Sequence, residues 1–170
     1  MDRAPTPLGS MLVVCDEAGC LRALDWEDHE ERMLRLLRLH YGASGYVLQP
    51  ASDPFGRTAA VQAYLRGDIN AIDTLPVATA GTPFQREVWR ALRDIPAGTT
   101  TSYGQLAQRI GRPKAVRAVG MANGANPIGV VVPCHRVVGA NASLTGYGGG
   151  LERKQWLLDH ERQHAPRSVA

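Results

Sequence analysis

The sequence predicts a mixed protein in two parts, an α/β unit over residues 1–78 and a mainly helical unit over 79–170 that carries a helix-turn-helix. Three observations predict it. In the first half, short alternating apolar stretches come before helical patterns, as in a small sheet covered by helices. Residues 72–82 are rich in small side chains and hold Pro76 and Gly81, which marks a boundary. In the second half, two short helical patterns are separated only by Gly111-Arg112, the spacing of a helix-turn-helix.

Taken in order, residues 8–14 and 21–26 alternate imperfectly around Asp16-Glu17-Ala18-Gly19 and predict a hairpin or meander. Met33, Leu34, Leu36, Leu37 and His40 recur at helical spacing and stop at Gly42, predicting an amphipathic helix over 30–41. A turn-rich stretch over 49–55 leads to a helix over 58–66, with Val61, Tyr64 and Leu65 inward. Thr82 is a ready N-cap with Pro83 at the first helical position, and Phe84, Val88, Trp89 and Leu92 then share one apolar face until Pro96-Ala97-Gly98. Helices over 103–110 and from Pro113 to about 123 follow. The apolar residues 128–132 predict a buried strand or extended segment running into Pro133-Cys134-His135-Arg136. Residues 146–150 read as a flexible loop. A final amphipathic helix over 151–161 carries Trp156, Leu157 and Leu158, with a frayed tail beyond Glu161.

Composition narrows the class. At 170 residues, 44% hydrophobic and 21% charged, the chain can bury a real core. No apolar run approaches the roughly 20 residues of a membrane span, and residues 1–5 lack a secretory pattern, so a cytoplasmic protein is expected. Three cysteines, Cys15, Cys20 and Cys134, make an odd count that argues against a disulfide framework. A net charge of +3 fits an anionic partner such as nucleic acid, although many proteins that bind none share it.

Cys134 stands out chemically. A cysteine after Val-Val-Val-Pro reads equally as a buried core residue and as a working thiol. His135 and Arg136 favour the second reading, because cations beside the sulfur lower a thiol pKa. So does the preceding helix-turn-helix, a common device for meeting DNA.

Pro133-Cys134-His135-Arg136 with Val137 resembles the active-site signature of the O6-alkylguanine-DNA alkyltransferases. Further motifs match in order: Thr82-Pro83-Phe84-Gln85, Ser102-Tyr103-Gly104-Gln105-Leu106-Ala107, Arg117-Ala118-Val119-Gly120, Asn126-Pro127, Tyr147 with the glycines to Gly150, and Lys154-Gln155-Trp156-Leu157-Leu158. In the first half only Thr6-Pro7-Leu8-Gly9 resembles the family's first strand.

The resemblance implies a ribonuclease-H-like first domain and a winged-helix-like second one holding the whole active site. It implies that Cys134 accepts the alkyl group, that His135 takes its proton through a water, and that Glu161 orients the histidine. Asn126 would brace the segment carrying the cysteine, and Tyr103 would protonate or stabilise the departing guanine. The carbonyls of Cys134 and Val137 would accept from the guanine amine. Backbone N–H groups around Tyr147 and Gly148 would face its oxygen, Tyr147 walling the pocket. Many relatives carry serine where Gly148 stands, which leaves the preferred alkyl group open.

Arg117 would fill the gap left by a base flipped from the duplex. Ala115, Ala118, Gly120 and Ala122 would keep its helix lean enough to lie in the minor groove, with Arg112 and Lys114 on phosphates. The partner the resemblance implies is double-stranded DNA bearing alkylated guanine, and the protein is expected to bind it as a monomer with scope for cooperative clustering.

No cofactor is expected, since no dinucleotide or P-loop glycine pattern is present. Cys15, Cys20, His29 and His40 do not match a compact zinc module, so no metal is expected either. A non-catalytic lesion-binding module is the main rival, but it would have no need of the thiol. A thiol hydrolase would not explain Arg117 or the helix-turn-helix. A major-groove transcription factor would need Asn, Gln or Arg aimed at base edges, where this helix offers mostly Ala and Val.

Overall fold

The computed structural model describes residues 1–166. Three antiparallel strands, β1 (Asp2–Ala4), β2 (Met11–Cys15) and β3 (Leu21–Trp26), form a sheet in the order β1-β2-β3. The predicted meander is therefore present, with an extra strand before it. Met11, Leu12, Val13 and Val14 are all buried, which blurs the alternation expected of β2, because both faces of the strand are covered.

Helix α1 (Glu30–Tyr41) packs on β3 and buries Met33, Leu36 and Leu37. Gly42 takes φ +79 after its last turn, a conformation glycine reaches without cost. Helix α2 (Arg57–Leu65) buries Val61, Tyr64 and Leu65 as the spacing predicts. Among the described residues, no helix is long and apolar enough to cross a membrane.

Helix α3 (Pro83–Leu92) begins with a reciprocal cap: the Thr82 hydroxyl accepts from the Gln85 N–H, and the Gln85 side chain accepts from the Thr82 N–H. Ser102 and Gln105 repeat the device at α4 (Tyr103–Arg109). The next helix, α5 (Val116–Gly124), starts three residues later than predicted. Pro113 and Lys114 lie in a turn, and the Ala115 N–H bonds the Arg112 carbonyl at 2.9 Å. Helices α3, α4 and α5 pack on one another. The short strands β4 (Thr101–Ser102) and β5 (Val137–Val138) pair in parallel beside them.

Residues 128–132 are buried but form no strand. Leu24 and Ile128 make one isolated bridge, the Val132 N–H returns to the Ile128 carbonyl at 3.0 Å, and the chain turns. Val130 sits at φ +69, which a β-branched residue adopts only under constraint. Asn126 supplies that constraint. Its amide donates to the carbonyls of Val132 at 2.8 Å and Ile128 at 3.4 Å, and its oxygen accepts from the Ile128 N–H at 3.0 Å.

The final helix, α6 (Leu151–His164), continues one turn past the predicted end at Glu161. Arg162, Gln163 and His164 are thus helical rather than frayed, while Arg167 and Ser168 lie outside the described residues. One buried apolar cluster runs from Met11 and Trp26 through Tyr64 and Trp89 to Cys134 and Leu157, joining side chains of both halves.

Candidate active site

Cys134 opens a single 3-10 turn, Cys134–Arg136, between the Asn126-braced segment and β5. The thiol is only 6% exposed and His135 is fully buried. Burial pushes the Cys134 thiol up; a hydrogen bond from Asn126 and the charges of Lys154 and Arg32 oppose this without reversing it. The cysteine is therefore a resting thiol that needs a base.

Here the structure corrects an expectation. Arg136 does not lie beside the sulfur as an activating cation. Its Nε and Nη2 donate to Glu161 at 2.9 and 2.7 Å, and its Nη1 donates to the Ile95 carbonyl. The cations that act on the sulfur are Lys154 and Arg32.

A candidate base spans three elements. His135 Nε2 lies 2.9 Å from Glu161 Oε2, and the Tyr64 hydroxyl donates to the same oxygen at 2.6 Å. Burial alone would raise the Glu161 carboxyl, but His135, with its hydrogen bond, and Arg136 hold it well below the usual carboxylate range. Burial lowers His135, so the ring is neutral at neutral pH. An ionised carboxylate can only accept, so the proton of the neutral ring must sit on Nε2. That leaves Nδ1 as the lone-pair nitrogen, and it has no protein hydrogen-bond partner among the described residues.

A narrow cleft opens on the sulfur, lined by Cys134, Asn126, Tyr147 and Gly148 and walled from the first half by Trp26 and Arg32. Its free volume of about 20 Å³ holds roughly one water molecule, so a purine must displace part of the wall to enter. Burial raises the Tyr147 phenol strongly, keeping it neutral. The carbonyls expected to receive a base amine already have donors. Asn123 Nδ2 reaches the Cys134 oxygen at 3.4 Å, and Lys154 Nζ reaches the Val137 oxygen at 2.6 Å, each leaving one lone pair.

Tyr103 does not line this cleft. It stands at the first residue of α4, its hydroxyl 3.3 Å from Thr145 Oγ1 on the loop before Tyr147. Gly120 lies under its ring, where an added Cβ would come 3.8 Å from Cδ1.

The helix predicted to meet DNA presents Arg117 and Ala118 to solvent, while Ala115 and Gly120 are half-buried. Ala122 is a correction: it is 3% exposed and faces the core, so it adds nothing to the lean surface. Met121, which was not predicted, is 72% exposed on that surface. The far end of α5 supplies Asn123 and Gly124 to the cleft, about 9 Å along the helix axis from Arg117. Lys114 is exposed. Arg112 pairs with Glu87 at 3.3 Å and covers the Phe84 ring, so it is less free than predicted.

Four functional candidates went unnoticed in the sequence: Arg32, Tyr64, Asn123 and Lys154. Only Lys154 left a readable signal, a charge on the same face of α6 as the buried Leu157, Leu158 and Glu161. Among the described residues no group of three His, Cys, Asp or Glu side chains converges as for a metal ion.

Residues 83–163 match the family model described as 6-O-methylguanine DNA methyltransferase, DNA binding domain. Relatives named methylated-DNA–protein-cysteine methyltransferase from Shigella flexneri and Salmonella typhimurium are 55% and 56% identical over 160 residues, which cover 94% of this chain and 94% of each relative. A solved structure of Mycobacterium tuberculosis OGT in complex with DNA aligns with a TM-score of 0.78 at 37% identity, covering 97% of this chain and 94% of that one. The O6-methylguanine-DNA methyltransferase of Pyrococcus kodakaraensis gives 0.63 at 25% identity, covering 94% and 96%. With more than half its residues shared across nearly its whole length, the chain belongs to the methylated-DNA–protein-cysteine methyltransferase family.

Proposed function

We infer that this chain is a DNA repair protein that transfers the alkyl group of an O6-alkylated guanine onto its own Cys134, once per molecule. The observation that carries the reading is a buried thiol one residue from a neutral histidine whose Nε2 is held by an ionised glutamate. That is the nucleophile–base–orienter arrangement of acyl-transfer enzymes, here built around sulfur.

His135 Nδ1 takes the thiol proton through a water, and the thiolate attacks the saturated carbon. The carbon–oxygen electron pair stays with the purine, and Tyr103 protonates or stabilises that leaving group. The thioether has no easy hydrolytic exit, so the protein is consumed. Asn126 holds the strained turn that presents the sulfur. The remaining lone pairs of the Cys134 and Val137 carbonyls receive the base amine, and the N–H groups of Tyr147 and Gly148 face its oxygen.

A base in a duplex cannot reach a thiol at this depth, so it is flipped out. Arg117 fills the vacated stack, and α5 lies in the minor groove through Ala115, Ala118 and Gly120, with Arg112 and Lys114 near phosphates. The protein works as a monomer in the cytoplasm and can cluster along DNA. Residues 1–78 would form a ribonuclease-H-like domain, supported by the antiparallel sheet under α1, and 79–170 a winged-helix-like domain, supported by α3 to α5 beside the β4-β5 pair.

Intact mass after incubation with duplex DNA holding one O6-methylguanine tests the reading. A gain of a single methyl group, absent in Cys134→Ser, is the expected result. Binding to that DNA with no mass gain would overturn it in favour of a lesion-binding module. A second expectation concerns flipping. Arg117→Ala should slow transfer from duplex DNA at least about tenfold while leaving transfer from free O6-benzylguanine within about twofold. Equal slowing on both substrates would remove Arg117 from the flipping step.

A further inference from the structure

Arg32 has no place in the chemistry above, yet it stands inside the thiol cleft. It comes from the first turn of α1, far in sequence from Cys134, and lines the same space as Cys134, Tyr147 and Gly148. Asp25, itself 4% exposed, fixes the guanidinium. Nε donates to Oδ2 at 2.9 Å and Nη2 to Oδ1 at 2.6 Å, a bidentate grip that sets the plane and direction of the group.

The third nitrogen, Nη1, makes no hydrogen bond to another described residue. It points at Gly148: a Cβ added there would overlap Nη1 and lie 2.9 Å from Nη2. Gly148 has an ordinary backbone, so conformational freedom does not require glycine there. Arg32 does. The arginine and the glycine are one feature, a cation occupying the volume that a side chain at 148 would fill.

We propose that Arg32 is a further catalytic residue of the transfer, its Nη1 held as a charged hydrogen-bond donor to the oxygen of the flipped base in the volume that Gly148 leaves open. The proposal rests on the alkyl-transfer reading above. As the sulfur–carbon bond forms, the carbon–oxygen bond breaks and its electron pair becomes negative charge on the purine. The thiol proton has gone to His135, and the charge on the purine is met by the Tyr103 hydroxyl, which protonates or stabilises it. Arg32 gives up no proton. It offers a fixed donor where charge develops, in a cleft too small to hold bulk water, where such a donor acts most strongly. Before the reaction the same charge favours the thiolate, in keeping with its effect on Cys134. Because Asp25 clamps it, the guanidinium also bounds the space for the alkyl group.

The test compares Arg32→Ala, Arg32→Lys, Gly148→Ser and the pair Arg32→Ala/Gly148→Ser. Each is given duplex DNA with one O6-methylguanine and, separately, free O6-benzylguanine, and transfer is read by intact mass. Arg32→Ala should slow transfer at least about tenfold on both substrates, with Arg32→Lys between it and the parent. Gly148→Ser should slow the parent by a similar factor by displacing the guanidinium, yet add less than about twofold in the Arg32→Ala background.

Asp25→Ala/Arg32→Ala keeps the charge balance if removal of Arg32 alone leaves Asp25 unpaired and the fold weakened. The loss of transfer should persist in it. Three outcomes would overturn the proposal: Arg32→Ala within twofold of the parent on the free base, slowing confined to duplex DNA, or serine at 148 costing the same in both backgrounds. Failure of the parent protein to gain any alkyl mass would instead sink the underlying reading, so the two failures are distinct.

Discussion

Replacing Glu161 with glutamine is expected to slow alkyl transfer at least about a hundredfold and to destabilise the fold by about 3–5 kcal/mol. The carboxylate is fully buried and accepts from His135, Arg136 and Tyr64 together. A neutral amide leaves the Arg136 guanidinium uncompensated in the interior. It also presents an N–H where only acceptors fit. The catalytic loss follows from the same change, since an amide nitrogen facing Nε2 would draw the ring proton to Nδ1 and block the base.

Acid should reproduce part of this effect. Glu161 is depressed in the folded state, so its stabilisation is complete above the unfolded carboxyl value of about 4.3 and is lost as pH falls below it. His135 is also depressed, and its contribution begins to fall below the unfolded value of about 6.5. Stability should therefore decline in two stages on acidification, and Glu161→Gln should lack the lower one. Urea unfolding from pH 8 to about pH 2, with transfer rates alongside in the neutral range, measures both. A variant within 1 kcal/mol of the parent and transferring at a similar rate would remove Glu161 from the centre of the site.

What could be read in advance divides along physical lines. Helices whose pattern is local came out close to their observed bounds: α1 from its leucine spacing and Gly42, α3 from Thr82-Pro83 and its apolar face. The segment at 128–132 did not. Its apolar composition suits a buried strand, but Asn126 satisfies three backbone groups and bends it into a turn that forces Val130 to positive φ, and no periodicity records a side chain bonding ahead of itself. Helix α5 started late because Pro113 is compatible with both a first helical turn and the turn before it.

The site divides in the same way. Cys134, His135, Asn126 and Glu161 are named by motif and do converge. The role first given to Arg136 was wrong, because adjacency in sequence says nothing about which way a side chain points from a 3-10 turn. Arg32 and Tyr64 come from the first half and reach the site only through tertiary packing. In the sequence each looks like an ordinary helix residue.

Lys154→Met should separate two effects that usually travel together, costing only about 1–2 kcal/mol of stability while slowing transfer at least about tenfold. The lysine is fully buried, and burial lowers its pKa, so its charge is held at a cost. An apolar replacement removes that cost, and the flexible methionine fills much the same volume. Against this stand the carbonyls it serves, Val137 at 2.6 Å and Thr145 at 2.7 Å. Val137 is buried and would lose a donor. Thr145 is exposed, so its carbonyl can turn to water if the loop moves. The two terms largely offset, and the loop is released.

That release is where function is lost. Residues 145–148 carry the Tyr103 contact, Tyr147 and the glycine beside Arg32, so one ammonium ties the Tyr103 hydroxyl, the cleft wall and β5 together. It also withdraws a cation that lowers the Cys134 thiol. Lys154→Arg should not restore the rate, since a planar guanidinium cannot meet both carbonyls from the space of an ammonium. Urea midpoints, DNA affinity and transfer rate, measured on both variants, decide the matter. A stability loss above 4 kcal/mol with the rate of the folded protein unchanged would make Lys154 a structural residue.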